Sequence, residues 1–567
     1  MKWWQILLIA GLVIFRFTYL DQDAPVYQLT NICQEDEPYY SQGAILKLCK
    51  DDGRLVNGFS KSHSEGLDMY NRLITYVSLK VFGNNYWALR IPDVIISLLF
   101  ILFMFSSFKI IDPDSDLIFL FVMLLFVNFY LFVFSRYNNP QIFSILAITI
   151  SLWIFIRYGY ERPLPLILLG FTAAYSVLFV YILNVFLMMG IGLFILVKAI
   201  KQRNFSILIY FVTGCIICLL FFIACLHVVG SSFSLVYNQI LNAGSGDNSS
   251  VLVKTNNITS ALGNIYRAIT AITNTGYFRF QLPFLLLALS AAPQLIYKAF
   301  SKQEKNGNLA LLIILIIFCQ LIQNIFVVSY TFKKMLVTIP MIMIYVFLIM
   351  NEFDLSWLRK SNLKKWGMAT WIVFALGLCL FNYKTNRSPL YWGYKGVGCF
   401  ETTPAWFDAI NISLCIGLVI FLLYSLFYSE KLNRSIIKSV LTITIAFNLI
   451  FTFKIFIRNR KYEIRDCLIS LKPMLQNKVV VDGFPFTWQM YTNCKPAMHG
   501  YPVDFLTSSR TNTLDSMIIN RKADFVMEKI TPGLNLTGIY SNNQNLDLIK
   551  IFRFKCYSYY LYKNIKQ

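Results

Sequence analysis

The chain has 567 residues, of which 57% are hydrophobic and 14% charged, and its formal net charge is +22. A soluble domain carries about 25% charged residues, so this composition excludes an ordinary globular protein and points to the bilayer. The positive charge recurs in short clusters between apolar runs, the pattern that sets membrane topology; a nucleic-acid partner would require a basic block, which the sequence lacks.

Taken in order, apolar stretches of spanning length fall at 3–20, 94–111, 117–134, 141–158, 164–181, 182–198, 205–229, 280–298, 309–329, 334–350, 366–382, 405–428 and 436–457, about thirteen spans. Residues 164–198 are too long for one span and divide near Tyr181. Arg16 interrupts the first stretch and no small-residue cleavage site follows it, which argues against a cleaved signal peptide. Alternate loops carry the basic residues, from Lys109, Arg157 and Arg162 through Lys198, Lys201 and Arg203 to Lys431, Arg434 and Lys438. The positive-inside rule makes these loops cytoplasmic, with the N-terminus on the same side and the tail outside.

Three polar segments then lie outside: 21–93, 230–279 and the tail from about 458. In the first, Glu35-Asp36-Glu37 opens the run QEDEPYYSQGAI, and Tyr40, Ala44, Ile45 and Leu48 follow at helical spacing. Asp36 fits a helix N-cap with Pro38 in the first turn, and a capping carboxylate can also face a cleft. DMYNRLITYVSLKVF, residues 68–82, reads as a second amphipathic helix, with Met69, Leu73, Tyr76, Val77 and Phe82 to one side and Gly83 at its end. The pair would form an interfacial shelf.

The tail reads as a small α/β domain, with strands at Lys478–Val481, Ala523–Met527 and Tyr557–Tyr562. The domains expected are thus a membrane domain over 1–457 and an extracytoplasmic domain over 458–567. Three His and scattered Cys give no metal-ligand spacing. Cys33 and Cys49 form the most local pair for a disulfide, though spacing alone does not assign one.

Four short motifs carry a resemblance. They are Asp36-Glu37 in DEPYYSQGAI; Phe82-Gly83 followed by Ala88-Leu89-Arg90-Ile91-Pro92; Ser135-Arg136 with Pro140 four residues on; and Lys333 with Pro340 seven residues on. In these the chain resembles the GT-C glycosyltransferases, in particular the branch containing protein O-mannosyltransferases and the lipid A aminoarabinose transferase. The resemblance reaches to about residue 350. It departs at Gln141, where the family often has an acidic residue, at Glu65-Gly66-Leu67-Asp68, in place of a Lys-Pro-Pro stretch, and near Val180–Asn184, where a usual Lys-Gly pair has no counterpart.

The resemblance implies a hexosyl- or pentosyltransferase of the bacterial inner membrane. It would use a polyprenyl-phosphate-linked sugar, and its acceptor would be a lipid, a glycan or a protein. Asp36 is the first candidate for general base, with Glu37 orienting the acceptor or a divalent cation. Lys333, Lys334, Arg136 and Arg90 stand at span ends where a leaving phosphate needs positive charge; the alternative for the Lys pair is a headgroup anchor. His63 and Gln141 are accessory candidates. Two other classes share the polytopic pattern: a flippase or polymerase of lipid-linked glycans, and a catalytically silent GT-C relative, which Gln141 favours.

Overall fold

The computed structural model describes residues 2–22, 69–137, 140–180, 184–229, 282–300, 306–326, 338–351, 362–385, 405–428, 434–453, 457, 462–482, 486–498, 523–530, 544–553 and 558–565. Helices dominate. They begin with α1 (Trp3–Phe17), α2 (Met69–Phe82), α3 (Tyr86–Ile111), α4 (Ile118–Val127), α5 (Phe129–Phe134), α6 (Pro140–Tyr158), α7 (Pro163–Tyr175), α8 (Val185–Gln202) and α9 (Ser206–Val229). There follow α10 (Leu282–Ser290), α11 (Ala292–Phe300), α12 (Gly307–Phe326), α13 (Ile339–Asn351), α14 (Asn362–Thr385), α15 (Ala405–Tyr428) and α16 (Arg434–Phe453). Each of the thirteen apolar stretches overlaps one or more of these helices. Among the described residues nine helical segments are long and apolar enough to cross a membrane. At 1.5 Å per residue the 26 residues of α3 extend roughly 39 Å, more than a hydrocarbon core.

Two of the expected spans are interrupted, and the interruptions have local causes. The stretch 117–134 breaks at Asn128, whose side chain turns back to accept from Leu131 N at 3.1 Å and so caps α5. The stretch 280–298 breaks at Ala291, between α10 and α11. A π-helical turn at Ser176–Val180 follows α7. Asn184, buried within the bundle, donates to Ser176 O at 2.9 Å and Ser144 Oγ at 3.1 Å.

Helices α7 and α9 touch backbone to backbone. A Cβ on Gly170 would sit 2.0 Å from Phe211 O, and one on Gly214 would sit 2.0 Å from Ile167 O. Small residues permit this closeness where lipid supplies no hydrophobic drive between helices.

The α2 helix forms where the amphipathic pattern places it and stops at Gly83, whose φ of +85° suits a residue without Cβ. Its Thr75, Ser78 and Leu79 are buried, while Leu73, Val77, Val81 and Phe82 form an exposed apolar face. Pro92 lies inside α3 and cannot donate to the carbonyl of Ala88 four residues back. Ser78 Oγ of α2 supplies that donor, at 2.6 Å from Ala88 O. The proline thus creates the acceptor that pins α2 to α3.

The C-terminal sheet domain contains α17 (Glu463–Leu475), β1 (Val479–Asp482), α18 (Phe486–Thr492), β2 (Lys495–Met498), β3 (Phe525–Ile530), β4 (Leu546–Arg553) and β5 (Ser558–Asn564). Strand order is β2-β1-β3-β5-β4. β1 runs parallel to β2 and β3, whereas β5 runs antiparallel to β3 and β4. Ile464, Cys467, Leu468, Leu471 and Leu475 recur at helical spacing on α17 and share a core with Val480 and Phe525. Three of the five strands overlap the expected ones. β2 and β4 were not expected; Pro496 sits in β2, an edge strand where a missing N–H is tolerated. Cys467 and Cys494, expected in polar segments, are free thiols buried in this domain.

Candidate functional site: buried arginines at the exit of the first span

Arg16, Arg90 and Arg136 are each 1% exposed. Their hydrogen bonds explain how the interior accommodates three guanidinium groups. The break at Asn128 leaves the last carbonyls of α4 without helical donors. Arg16 Nη2 donates to two of them, Leu125 O at 3.2 Å and Phe126 O at 3.0 Å. Its Nη1 donates to Ser97 Oγ at 3.2 Å and to Ser135 Oγ.

Arg136 performs the same service for α1. Its Nη1 donates to Phe15 O at 3.2 Å, and its Nη2 to Thr18 O at 2.6 Å and Tyr19 O at 2.9 Å. Arg90 Nη1 continues along the same strand of chain, donating to Leu20 O and Gln22 O, both at 2.5 Å. A cation at a helix C-terminus also meets the negative end of the macrodipole.

Aromatic rings separate the cations. Arg16 and Arg136 lie 5.4 and 5.1 Å from the centroid of the one Phe132 ring. Arg90 lies 4.5 Å from Tyr137 and 4.8 Å from Tyr86. Burial pushes the Arg136 guanidinium down to about 10; nearby Arg90 pushes the same way, while Tyr137, Tyr462 and Asp21 oppose them. The group therefore stays cationic at neutral pH. Carbonyls and ring faces thus orient the guanidinium groups at this end of the bundle. Asp93, one turn beyond Arg90 on α3, is a fully buried carboxylate.

The C-terminal domain closes on this node. Arg465 of α17 pairs with Asp21 at 2.6 Å and with Asp466 at 2.8 Å. Asn84 Nδ2 lies within 2.9 Å of Gln489 O, Gln489 Oε1 and Asn493 Oδ1, and Tyr491 N donates to Asn84 O at 3.1 Å. Leu79, Tyr86, Ala88 and Leu89 of the bundle share one core with Leu468, Leu471, Trp488 and Met490 of the domain.

Of the residues singled out in the sequence, Arg90 and Arg136 are brought together, and Gln141 is buried in the first turn of α6. Asp36, Glu37, His63, Lys333 and Lys334 lie outside the described residues, as does Cys33 with Cys49. Among the described residues no three His, Cys, Asp or Glu side chains gather as metal ligands. In the sequence Arg16 stands only as an interruption of an apolar run, and no local pattern marks Asp21, Asp93, Arg465 or Tyr491. The available signal was a charge inside an apolar run, which by default marks function or a buried partner.

These features rest on a recognised architecture: the chain has the GT-C fold of integral-membrane glycosyltransferases. Residues 70–227 match the family model of dolichyl-phosphate-mannose-protein mannosyltransferase. The structure resembles ArnT from Cupriavidus metallidurans bound to undecaprenyl phosphate, with a TM-score of 0.59 and 13% identity over 98% of each chain. It also resembles the apo state of ArnT from Cupriavidus metallidurans, with a TM-score of 0.56 and 14% identity over 98% of this chain and 97% of that one. No curated protein matches the chain by sequence.

Proposed function

We propose that the protein transfers a sugar from a polyprenyl-phosphate donor to a lipid, glycan or protein acceptor on the extracytoplasmic face, with inversion at the anomeric carbon. The observation that carries this reading is the set of buried guanidinium groups at the exit of the first span, within a fold that in ArnT holds undecaprenyl phosphate. A lipid phosphate cannot leave the membrane surface, and its departure as an anion is favoured where oriented cations await it.

In the proposed reaction an acceptor hydroxyl oxygen attacks the anomeric carbon. The bond from that carbon to the phosphate oxygen breaks, and its electron pair leaves with the phosphate. The hydroxyl proton passes to Asp36, while Glu37 orients the acceptor. Lys333 and Lys334 meet the phosphate; Arg136 and Arg90 add field from behind, since the carbonyls of Phe15–Gln22 engage their Nη groups. His63 and Gln141 are accessory.

The test is sugar transfer by purified protein with a panel of polyprenyl-phosphate sugars. Asp36→Asn is expected to remain folded and to lose about two orders of magnitude or more in turnover. Near-normal turnover would remove Asp36 from the role. Transfer by neither protein, with the lipid still bound, would support the silent relative that Gln141 suggests.

A further inference from the structure

The strand of chain from Phe15 to Gln22 is the object of an unusual convergence. Arg136 holds its first part through three carbonyls, and Arg90 holds its end through two. Its one carboxylate, Asp21, is held by Arg465, 444 residues away on the C-terminal domain. Arg465 is itself oriented: its guanidinium lies 3.9 Å from the Tyr462 ring, and its Nε and Nη2 donate to Asp466 at 3.0 and 2.8 Å.

The same domain reaches Arg90 by a second route. Tyr491 has a φ of +63°, a left-handed conformation that a bulky residue seldom adopts. Strain of this kind persists where the surroundings over-determine it. Here the left-handed turn lies beside Asn84, the acceptor for Tyr491 N, and the ring meets Tyr86 edge-on at 5.6 Å. Tyr86 in turn presents its ring to Arg90. Both contacts fall on segments that bracket residues 23–68, the polar stretch bearing Asp36.

We infer that the C-terminal domain is a clamp for the reaction, with Arg465 and Tyr491 as positioning residues that set the exit of the first span and the Arg90 guanidinium. The effect on catalysis rests on the proposed transferase reading; the effect on the exit strand does not. Beyond the shared apolar core, the domain thus holds the chain on both sides of residues 23–68, through Arg465 at Asp21 and through Tyr491 at Asn84 and Tyr86. The Asp21–Arg465 pair is partly exposed, with side chains 36% and 24% accessible. Its contribution to global stability is therefore small, and its loss should displace the exit strand without unfolding the protein.

The experiment uses the full-length protein in lipid nanodiscs. Arg465→Ala, Asp21→Ala, Tyr491→Gly and the exchanged pair Asp21→Arg with Arg465→Asp are compared with the parent. Amide hydrogen exchange is expected to rise over residues 15–22 in Arg465→Ala and Asp21→Ala, with β1 and β3 as protected as in the parent. With a turned-over donor, kcat should fall by about ten- to hundredfold with KM for the donor unchanged, as small misplacements do. The exchanged pair should recover part of both losses, which would assign them to the Asp21–Arg465 contact rather than to either side chain alone; Asp466, which Arg465 also holds, keeps the recovery incomplete. Tyr491→Gly relieves the strain while removing the ring, so unchanged stability with reduced kcat would separate positioning from folding. Exchange and kcat equal to the parent in Arg465→Ala would overturn the inference, whatever Asp36→Asn does. Full activity in Asp36→Asn alongside a rescued loss in Arg465→Ala would instead remove the base assignment and leave the clamp standing.

Discussion

Arg16 offers the sharpest test of how this bundle holds buried charge. Arg16→Lys keeps the cation, so the cost of desolvating a charge largely cancels between variant and parent, and hydrogen-bond geometry is what changes. The guanidinium makes four bonds through two Nη atoms, two of them to the orphaned carbonyls of Leu125 and Phe126. One ammonium has three donors on a single atom and cannot reproduce that fork. At least one buried carbonyl then loses its donor, at about 1–3 kcal/mol. Ser97 and Ser135 add little, because each hydroxyl also donates to a carbonyl in its own chain, Val94 O and Phe132 O respectively. The assay is thermal unfolding followed by intrinsic fluorescence in nanodiscs. Asn128→Leu supplies the second arm of a double-mutant cycle. Letting α4 run into α5 would give those carbonyls helical donors, and Arg16 would then have less to satisfy. The two changes should be coupled by about 1 kcal/mol or more. An Arg16→Lys variant as stable as the parent, or strictly additive effects in the cycle, would refute the capping account.

Other outcomes follow from the same geometry. Gly170→Ala drives a Cβ into the Phe211 carbonyl and should separate α7 from α9, destabilising the protein by about 1–3 kcal/mol in the same assay. Ser78→Ala leaves the Ala88 carbonyl without its donor, and a loss of about 1–3 kcal/mol is expected. Lys333→Ala should weaken binding of undecaprenyl phosphate to purified protein more than binding of any acceptor; unchanged lipid affinity would place the phosphate elsewhere. For orientation, a cysteine at Ser541 should react with an impermeant thiol reagent applied outside intact cells and one at Ser361 should not, with native thiols controlled for.

Hydropathy made the helices legible, because apolar length is a property of contiguous residues. The motif from Phe82 to Pro92 was legible as a resemblance, and the structure supplies its physics. Gly83 ends α2, Ala88 and Leu89 enter the core shared with the C-terminal domain, Arg90 grips the chain leaving α1, and Pro92 frees an acceptor for Ser78. What could not be read was the purpose of Arg16. Two of its four acceptors, the Leu125 and Phe126 carbonyls, are open only because α4 stops at Asn128, and they lie 109 and 110 residues away in sequence. The clamp is less visible still, since neither Asp21 nor Arg465 belongs to a local pattern. β2 escaped notice because Pro496 lies within it, and β4 because LDLIKIFR offers apolar residues to both faces.

The span-breaking Asn128 and the late position of Arg465 also impose an order of events during synthesis. At about 5–20 residues per second, the 119 residues separating Arg16 from Ser135 take roughly 6–24 seconds to be made. Until then α1 carries a cation whose set of acceptors is incomplete, since Ser97 follows it by 81 residues and the Leu125 and Phe126 carbonyls by 109 and 110. It can stay in the membrane only by extending the side chain toward headgroups or by remaining with the insertion machinery. Asp21 waits longer, for roughly 20–90 seconds of elongation across 444 residues before Arg465 emerges. The chain leaving α1 is therefore among the last segments to reach its final contacts, and it acquires its full set of partners only after the C-terminal domain has been translated.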